Sequence, residues 1–306
     1  RGKIKSYSGG GKVASEFRLL YLDKYSFLMI NKQQKKILAR LQGKKALVTG
    51  ASKGIGRTIA EELSSNGVQV ALLARSKDKL NEIVSSITRS GNKALALASD
   101  LRDRDSILSA VAEYKKQFGS LDFLINNAGF GVRRLWKDVS LDMELEMMAV
   151  NYSAPVMLTR HFLPDMLSRD SGHIVNINSF AGMYAAPYQG AYAASKSALA
   201  SYATSLAYEL KKTDVHISSI YLGPTDTEFI RSAHDKDWVD SHKQGKLNTT
   251  KDVARVVIST LVDPKETKVV GSSLNLLAAR LTNLNPRLAR TLIEKKHTPP
   301  KDLSGS

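Results

Sequence analysis

The stretch ALVTGASKGIG, residues 46–56, decides how this chain folds. Its first residues are apolar and typical of a buried strand, and the glycine-rich loop after them leads into a helical pattern. Glycines at positions 50, 54 and 56 permit a tight turn and let backbone N–H groups approach a pyrophosphate at the helix N-terminus. Three glycines alone could form a packing turn, but the flanking strand and helix favour nucleotide binding.

Apolar runs of strand length recur after this stretch, with amphipathic segments between them. The further runs are Val68–Ala74, Lys93–Ala98, Phe123–Ile125, Ile174–Ile177, Val215–Tyr221 and a weak last run, Val269–Val270. Two of the amphipathic segments each place four apolar residues on one face of a helix. The first set is Leu80, Ile83, Val84 and Ile87, and the second is Ile107, Leu108, Val111 and Ala112. The alternation predicts an α/β fold, a single Rossmann-type doubly wound parallel sheet flanked by helices, with its ligand beyond the carboxyl ends of the strands.

Length and composition favour one large globular domain with extensions. The chain has 306 residues, of which 42% are apolar and 24% charged, and this composition excludes fibrous and wholly disordered classes. The absence of Cys excludes disulfides, thiolate zinc sites and cysteine nucleophiles, and we expect no metal. We predict a basic N-terminal extension at residues 1–42, the main domain at 43–271 and a basic C-terminal extension at 272–306.

The formal net charge of +16 is carried mainly by the two ends of the chain. Residues 1–45 hold 12 basic and 2 acidic residues, residues 264–306 hold 8 and 3, and residues 46–263 hold 25 and 24. The near-neutral body argues against a nucleic-acid partner, which would need a basic surface there. Since bases and apolar residues are interleaved in 17–41 and 274–293, these segments either contact an anionic membrane surface peripherally or are solvated tails.

No apolar run reaches the roughly 18 residues that a membrane-spanning helix needs, because charged residues interrupt the most apolar N-terminal run, Phe17–Ile30. The chain begins with Arg rather than Met, so a targeting segment could precede it. We therefore expect a cytoplasmic protein, with contact at a membrane surface or organellar targeting as alternatives.

A Tyr-x3-Lys pair, Tyr192 and Lys196, carries the clearest chemistry. Residues four apart share a helix face, and a nearby positive charge favours phenolate, lowering a tyrosine pKa that starts near about 10. Tyr192 could then act as a general acid or base near neutral pH. A lone pair of this kind could also be an ordinary surface pair, but Ser179 lies 13 positions earlier, at the end of a predicted strand.

These motifs, taken together, resemble the classical short-chain dehydrogenase/reductase family. The resemblance rests on the three glycines, on Asn-Asn-Ala-Gly at 126–129, on Asn151 and Ser179, and on Tyr192-x3-Lys196, and it covers about residues 43–262. It implies that Tyr192 gives its proton to the carbonyl oxygen of a substrate as hydride reaches the carbon, while Ser179 hydrogen-bonds that oxygen. Both residues would therefore contact the substrate.

The resemblance gives the other two catalytic residues supporting roles. Lys196 would lower the pKa of Tyr192 and hydrogen-bond the nicotinamide ribose. Asn151 would anchor a water that links Lys196 to solvent. The alternative for Asn151 is a polar residue inside a helix that makes a local hydrogen bond.

The resemblance also implies cofactor contacts along the carboxyl edge of the sheet. Asp100 would contact the adenine edge, or would instead cap the following helix, while Thr225 would contact the carboxamide through its backbone. Residues 222–227 read Leu-Gly-Pro-Thr-Asp-Thr where the family usually has Pro-Gly-x-Val-x-Thr. The expected cofactor residues are Gly50, Ser52, Lys53, Gly54, Ile55, Gly56, Arg75, Ser76, Asp100, Leu101, Asn127, Ala128, Gly129, Tyr192, Lys196, Gly223, Thr225 and Thr227.

The end of the second predicted strand indicates which coenzyme is used. A nucleotide-binding sheet that selects NAD has Asp or Glu there, to accept hydrogen bonds from the ribose hydroxyls. This chain has Arg75 and Ser76, which donate, and Lys53 supplies a second positive charge. The pattern predicts NADP(H), with a solvated strand-end base as the alternative reading of Arg75.

We therefore predict an NADPH-dependent enzyme that reduces a ketone or aldehyde of largely apolar character, such as a 3-oxoacyl thioester, a steroid or a long-chain ketone. The alternatives are an NAD-linked alcohol dehydrogenase and a catalytically silent nucleotide-binding scaffold. Residues 228–249 are either a substrate lid or a surface loop. Five apolar or aromatic residues near these motifs either line an apolar pocket or belong to the core. They are Phe130, Trp136, Met183, Tyr184 and Tyr188.

The resemblance further implies a homodimer, in which the helices of Asn151 and Tyr192 pair with their symmetry mates. Small side chains on the helix of Tyr192 would allow the two helices to approach closely. They are Ala193, Ala194, Ala198 and Ala200.

Overall fold

The computed structural model describes residues 35, 37, 39–185, 187–226 and 247–271. The strands in this part of the chain are β1 (Lys45–Thr49), β2 (Gln69–Ala74), β3 (Ala94–Ala98), β4 (Phe123–Asn126), β5 (Gly172–Ser179), β6 (Val215–Leu222) and β7 (Thr267–Val270). They form one seven-stranded parallel sheet in the order β3-β2-β1-β4-β5-β6-β7. The predicted doubly wound sheet is confirmed, and so is its weak last strand.

Helices cover both faces of this sheet. They are α1 (Gly54–Ser65), α2 (Lys77–Arg89), α3 (Arg104–Phe118), α4 (Leu141–Met148), α5 (Ala154–Ser168), α6 (Gly190–Leu210) and α7 (Thr250–Val262). Successive β1 residues point to opposite faces, so Val48 joins the core cluster of α1, α2 and α7, while Leu47 joins that of α3, α5 and α6. The sheet is therefore buried on both sides, as its continuous apolar runs predict.

The predicted helix faces are mostly the buried ones. In α2 the four predicted residues all lie in or against the core. In α3, Ile107 and Val111 are buried, but Ala112 is exposed, so its assignment to the core face was wrong. Because a helix turns once in 3.6 residues, the buried face continues at Tyr114 and Phe118 instead.

The strand order reverses at β1, which pairs with β2 on one side and with β4 on the other. Ligands of doubly wound sheets bind outside the carboxyl ends of the strands at such a reversal. The loops after β1 and β4 meet here, where Thr49 Oγ1 accepts hydrogen bonds from the backbone N–H groups of Asn127 and Ala128, each at 2.9 Å. The fold therefore brings the glycine loop beside the Asn-Asn-Ala-Gly segment.

The two predicted extensions fall largely outside the described residues. Of residues 1–42, the described Leu41 packs into the core with no exposed surface. None of the described helices is long and apolar enough to cross a bilayer. The membrane contact of the basic segments stays a prediction.

A buried histidine lies near the start of β5, away from the carboxyl edge. His173 Nε2 is 2.8 Å from Ser218 Oγ, and that hydroxyl donates to Lys265 O at 2.6 Å. The ring must therefore donate through Nε2–H, which leaves the buried Nδ1 as the atom that would take a second proton. Burial, together with smaller effects of the His216 and Arg40 charges, lowers the pKa of His173 to about 3.

This histidine should make the fold sensitive to acid. An unfolded histidine titrates near about pH 6.5. Between that pH and the folded pKa, the unfolded chain binds a proton at His173 that the folded protein does not bind, so the free energy of unfolding decreases as the pH is lowered. At pH 5 the loss should be about 2 kcal/mol. Urea unfolding at pH 7 and pH 5 measures it, and His173→Gln, which keeps a donor to Ser218, should lose less stability over this range. An equal loss in both proteins would contradict the prediction.

Candidate active site

Three of the predicted catalytic side chains converge at the carboxyl edge of the sheet. Ser179 is the last residue of β5, whereas Tyr192 and Lys196 lie in the first turns of α6. The Tyr192 phenol and the Ser179 hydroxyl are hydrogen-bonded, and Ser179 Oγ also accepts the N–H of Ala181 at 3.2 Å. The structure thus joins the proposed proton donor to the residue expected to bind the substrate oxygen.

Lys196 lies one helical turn after Tyr192 in α6 and is only 5% exposed. Its Nζ donates to Ile177 O at 2.9 Å. A Cβ on Gly129 would lie 3.4 Å from Nζ and 3.0 Å from Asn151 Oδ1, so the bare glycine leaves room beside both groups. Burial lowers the pKa of Lys196 to about 8, and the ammonium is still mostly protonated at pH 7.

The pKa of Tyr192 departs from its sequence-based expectation. Burial raises it, and the hydrogen bond with Ser179 offsets only part of that rise. The predicted net lowering by Lys196 was therefore wrong for this structure, because desolvation of the phenolate outweighs its stabilisation. The phenol keeps its proton at neutral pH.

Asn151 is fully buried in a π-helical turn, Ala149–Ser153, that joins α4 to α5. Its Oδ1 accepts the N–H of Phe130 at 3.0 Å, and its Nδ2 donates to Phe130 O at 2.8 Å and to Ser195 Oγ at 3.0 Å. Ser195 Oγ donates in turn to Tyr192 O at 2.8 Å. These partners are distant in sequence, so the alternative of a local hydrogen bond was wrong. Asn151 ties the loop after β4 to the helix of Tyr192.

Sequence reasoning missed Gly131, which packs directly on the ring of Tyr192. A Cβ at this position would lie 2.5 Å from Cδ2 of that ring, closer than real side chains approach. It also missed Thr49, which clamps the ends of β1 and β4, and Ser195. Ser195 could have been found from its place beside Lys196 in the motif, but neither Gly131 nor Thr49 carries a comparable signal.

The glycine loop after β1 has the shape that a diphosphate needs. Gly50 has a φ of +66°, and a Cβ on Gly56 would overlap Gly50 O and lie 2.5 Å from Asn127 Nδ2. The N-cap of α1, Lys53, makes no side-chain capping bond, and the first turn of this helix holds no acidic residue. Since the positive end of the helix dipole is not neutralised within that turn, these residues fit a nucleotide pyrophosphate. Ser52 is half-buried at the same loop, and Ile55 packs against the core.

The ends of β2 and β3 lie side by side, joined by a hydrogen bond from Ser99 N–H to Ala74 O at 3.0 Å. Arg75 is exposed there, and Ser76 is the N-cap of α2 without a side-chain capping bond. The alternative role of Asp100 as a helix cap was wrong, because Asp103 caps α3. Asp100 lies two residues beyond β3, followed by the buried Leu101.

The segment after β6 is held by contacts with Asn248 and with the end of β7. Thr225 is buried and forms a parallel bridge with Asn248, while Gly223 N–H donates to Val270 O at 3.2 Å. Thr227 lies outside the described residues. The expected cofactor residues that the structure describes thus follow β1 to β6 along one edge of the sheet.

A family model described as short chain dehydrogenase matches residues 44–238. The chain belongs to the short-chain dehydrogenase/reductase family. It is 31% identical over 269 residues to dehydrogenase/reductase SDR family member 7B of Rattus norvegicus, covering 84% of this chain and 82% of the relative. It is 37% identical over 193 residues to fatty acyl-CoA reductase of Acinetobacter baylyi, covering 62% of this chain and 65% of the relative. A solved metagenomic short-chain oxidoreductase in complex with NADP matches with a TM-score of 0.65 and 31% identity, over 76% of this chain and 98% of that chain.

The substrate side of this short-chain dehydrogenase/reductase differs in part from expectation. Trp136 is 84% exposed, so it does not belong to the core. Met183 and Tyr184 pack against the small core cluster of Phe180. Tyr188, with a φ of 68°, has its ring 5.1 Å from the Arg133 guanidinium. Most of the expected lid, residues 228–249, lies outside the described part of the chain.

Proposed function

We propose that this short-chain dehydrogenase/reductase reduces the ketone or aldehyde carbonyl of a largely apolar molecule with NADPH. The observation that carries the proposal is the hydrogen-bonded pair of Ser179 and Tyr192, with the buried Lys196 one helical turn further along α6. A catalytically silent scaffold would not need these groups arranged for proton transfer. The experiment is a screen of the full chain with NADPH and NADH against 3-oxoacyl thioesters, ketosteroids and long-chain ketones, and no turnover with any of them would refute the proposal.

The protonation state of Tyr192 favours the reductive direction. Because burial raises its pKa, Tyr192 holds its proton at neutral pH and can donate it to a carbonyl oxygen. Ser179 would hydrogen-bond the same oxygen, and the charged Lys196 would stabilise the phenolate that remains. NADPH, when bound, supplies the hydride. The buried Asn151 would hold the loop beside Tyr192 and a water near Lys196.

The apolar character of the substrate rests on two further observations. Met183 and Tyr184 lie directly after the short turn that follows Ser179, and one relative is named fatty acyl-CoA reductase. Among the three substrate classes of the screen, we therefore expect acyl or long-chain carbonyl compounds to be turned over fastest.

The coenzyme preference depends on Arg75, since no acidic residue stands at the end of β2. Charge-assisted hydrogen bonds from a guanidinium to the 2′-phosphate are worth about 1.5 to 3 kcal/mol, or roughly a 10- to 150-fold preference for NADPH. A solved relative at 31% identity is a complex with NADP. Replacing Arg75 with Asp should abolish most of this preference, because the new carboxylate repels the phosphate and accepts bonds from the ribose. Steady-state kcat/KM with both coenzymes measures it. Equal values in the unaltered protein would favour an NAD-linked alcohol dehydrogenase.

We also propose that the protein is a homodimer paired through α6 and the helices around Asn151. Ala193 and Ala200 are buried within the chain, so they cannot serve the interface as expected, but Ala194 is exposed and Ala198 half-exposed on the outer side. Light scattering at micromolar concentration should give twice the mass of the chain. A monomer would contradict this expectation.

A further inference from the structure

Arg102 holds the carboxylate of Asp100 at the cofactor edge of the sheet. Its Nε lies 3.1 Å from both carboxylate oxygens, its Nη2 donates to Oδ2 at 2.6 Å, and its backbone N–H donates to Oδ1 at 2.9 Å. The remaining Nη1 donates to Glu146 Oε1 on α4 at 2.9 Å. The Asp100 carboxylate is therefore bound by one guanidinium through several hydrogen bonds.

The second guanidinium within electrostatic reach of Asp100 is that of Arg75. Hydrogen bonds from Arg102 hold the pKa of the Asp100 carboxyl low, and the charge of Arg75 lowers it further. Strands β2 and β3 are neighbours, so the residues after them share one edge. Without Arg102, the ionised Asp100 carboxylate would attract the Arg75 guanidinium. It would also repel a phosphate bound to Arg75.

We propose that Arg102 is a coenzyme-specificity residue, which neutralises Asp100 so that the Arg75 guanidinium stays available for the 2′-phosphate of NADPH. This inference rests on the proposed coenzyme preference and deepens it. It explains how an aspartate can stand at the adenosine edge of a site that is to take an additional phosphate dianion.

The test is the ratio of the NADH and NADPH dissociation constants, measured by nicotinamide fluorescence on the full chain. Contacts to adenine and to nicotinamide are common to both ligands and cancel in this ratio. Arg102→Met keeps the apolar stem and removes the charge, and it should reduce the preference for NADPH roughly 3- to 10-fold. The reduction should shrink at high salt, because the groups are partly exposed.

A double variant separates charge from structure. In Asp100→Asn with Arg102→Met, the uncompensated carboxylate is gone, so the ratio should return to within about twofold of the unaltered protein. Arg104→Met, which removes one exposed positive charge at the start of α3, and Glu146→Gln, which removes only the negative charge of the Arg102 partner on α4, should leave the preference intact.

Two results would overturn the inference. They are an unchanged ratio in Arg102→Met, and a ratio that the double variant does not recover. If the unaltered protein itself binds both coenzymes equally, the proposed preference fails and takes this inference with it. A preference that Arg75→Asp abolishes but Arg102→Met leaves unchanged defeats the inference alone.

Discussion

Replacing Tyr192 with Phe should lower turnover by at least about 10²- to 10⁴-fold, the usual contribution of a general acid or base. The substitution removes only the hydroxyl that is hydrogen-bonded to Ser179, while the ring that packs on Gly131 stays. NADPH binding should therefore change little, and the loss should appear in kcat rather than in coenzyme affinity. Single-turnover oxidation of bound NADPH, followed by absorbance, measures the effect.

Tyr202→Phe is the matched control for this experiment. Tyr202 lies in the same helix, and its ring packs edge-on against Tyr152 at 6.4 Å, a contact that does not need the hydroxyl. Its variant should keep near-normal turnover. If Tyr192→Phe also did so, the proton donor would have to be another group.

Replacing Gly131 with Ala should lower turnover by about 10²-fold, because a displacement of about 1 Å in a reacting group can cost that much. The added methyl would lie 2.5 Å from Cδ2 and 2.8 Å from Cγ of Tyr192, so the ring has to move. The loop cannot easily yield instead, because Asn151 bonds both the N–H and the carbonyl of Phe130 just before it. We expect kcat to fall while the NADPH dissociation constant stays within a fewfold range.

Gly190→Ala, at the start of the helix that holds Tyr192, provides the comparison. A Cβ at Gly190 meets nothing within 4 Å, so this variant should leave turnover and stability almost unchanged. Thermal unfolding of both variants distinguishes a displaced phenol from a damaged fold. If Gly131→Ala were as active as Gly190→Ala, the glycine would not position Tyr192.

The sequence by itself determined the order of strands and helices. Buried parallel strands must be apolar on both faces, and helices that cover them need an apolar stripe, so the type of each element follows from local periodicity. The motifs could also be placed, because the glycine loop and Ser179 lie at the carboxyl ends of strands, where a doubly wound sheet binds ligands. The assignment of Ala112 shows the limit, since four residues do not define the exact direction of a helix face.

Only the tertiary structure decided what surrounds each functional group. The partners of Asn151 lie 21 and 44 residues away, and the contact between Gly131 and Tyr192 joins the loop after β4 to α6. The direction of the Tyr192 pKa depends on how much water the fold removes from the phenol, which outweighs the effect of a lysine four residues away. The structure places Asp103 at the N-cap of α3, which excluded the capping role of Asp100 that the sequence left open. Spacing along the chain predicts which side chains share a strand end or a helix face, but desolvation and long-range hydrogen bonds depend on distances that only the folded chain sets.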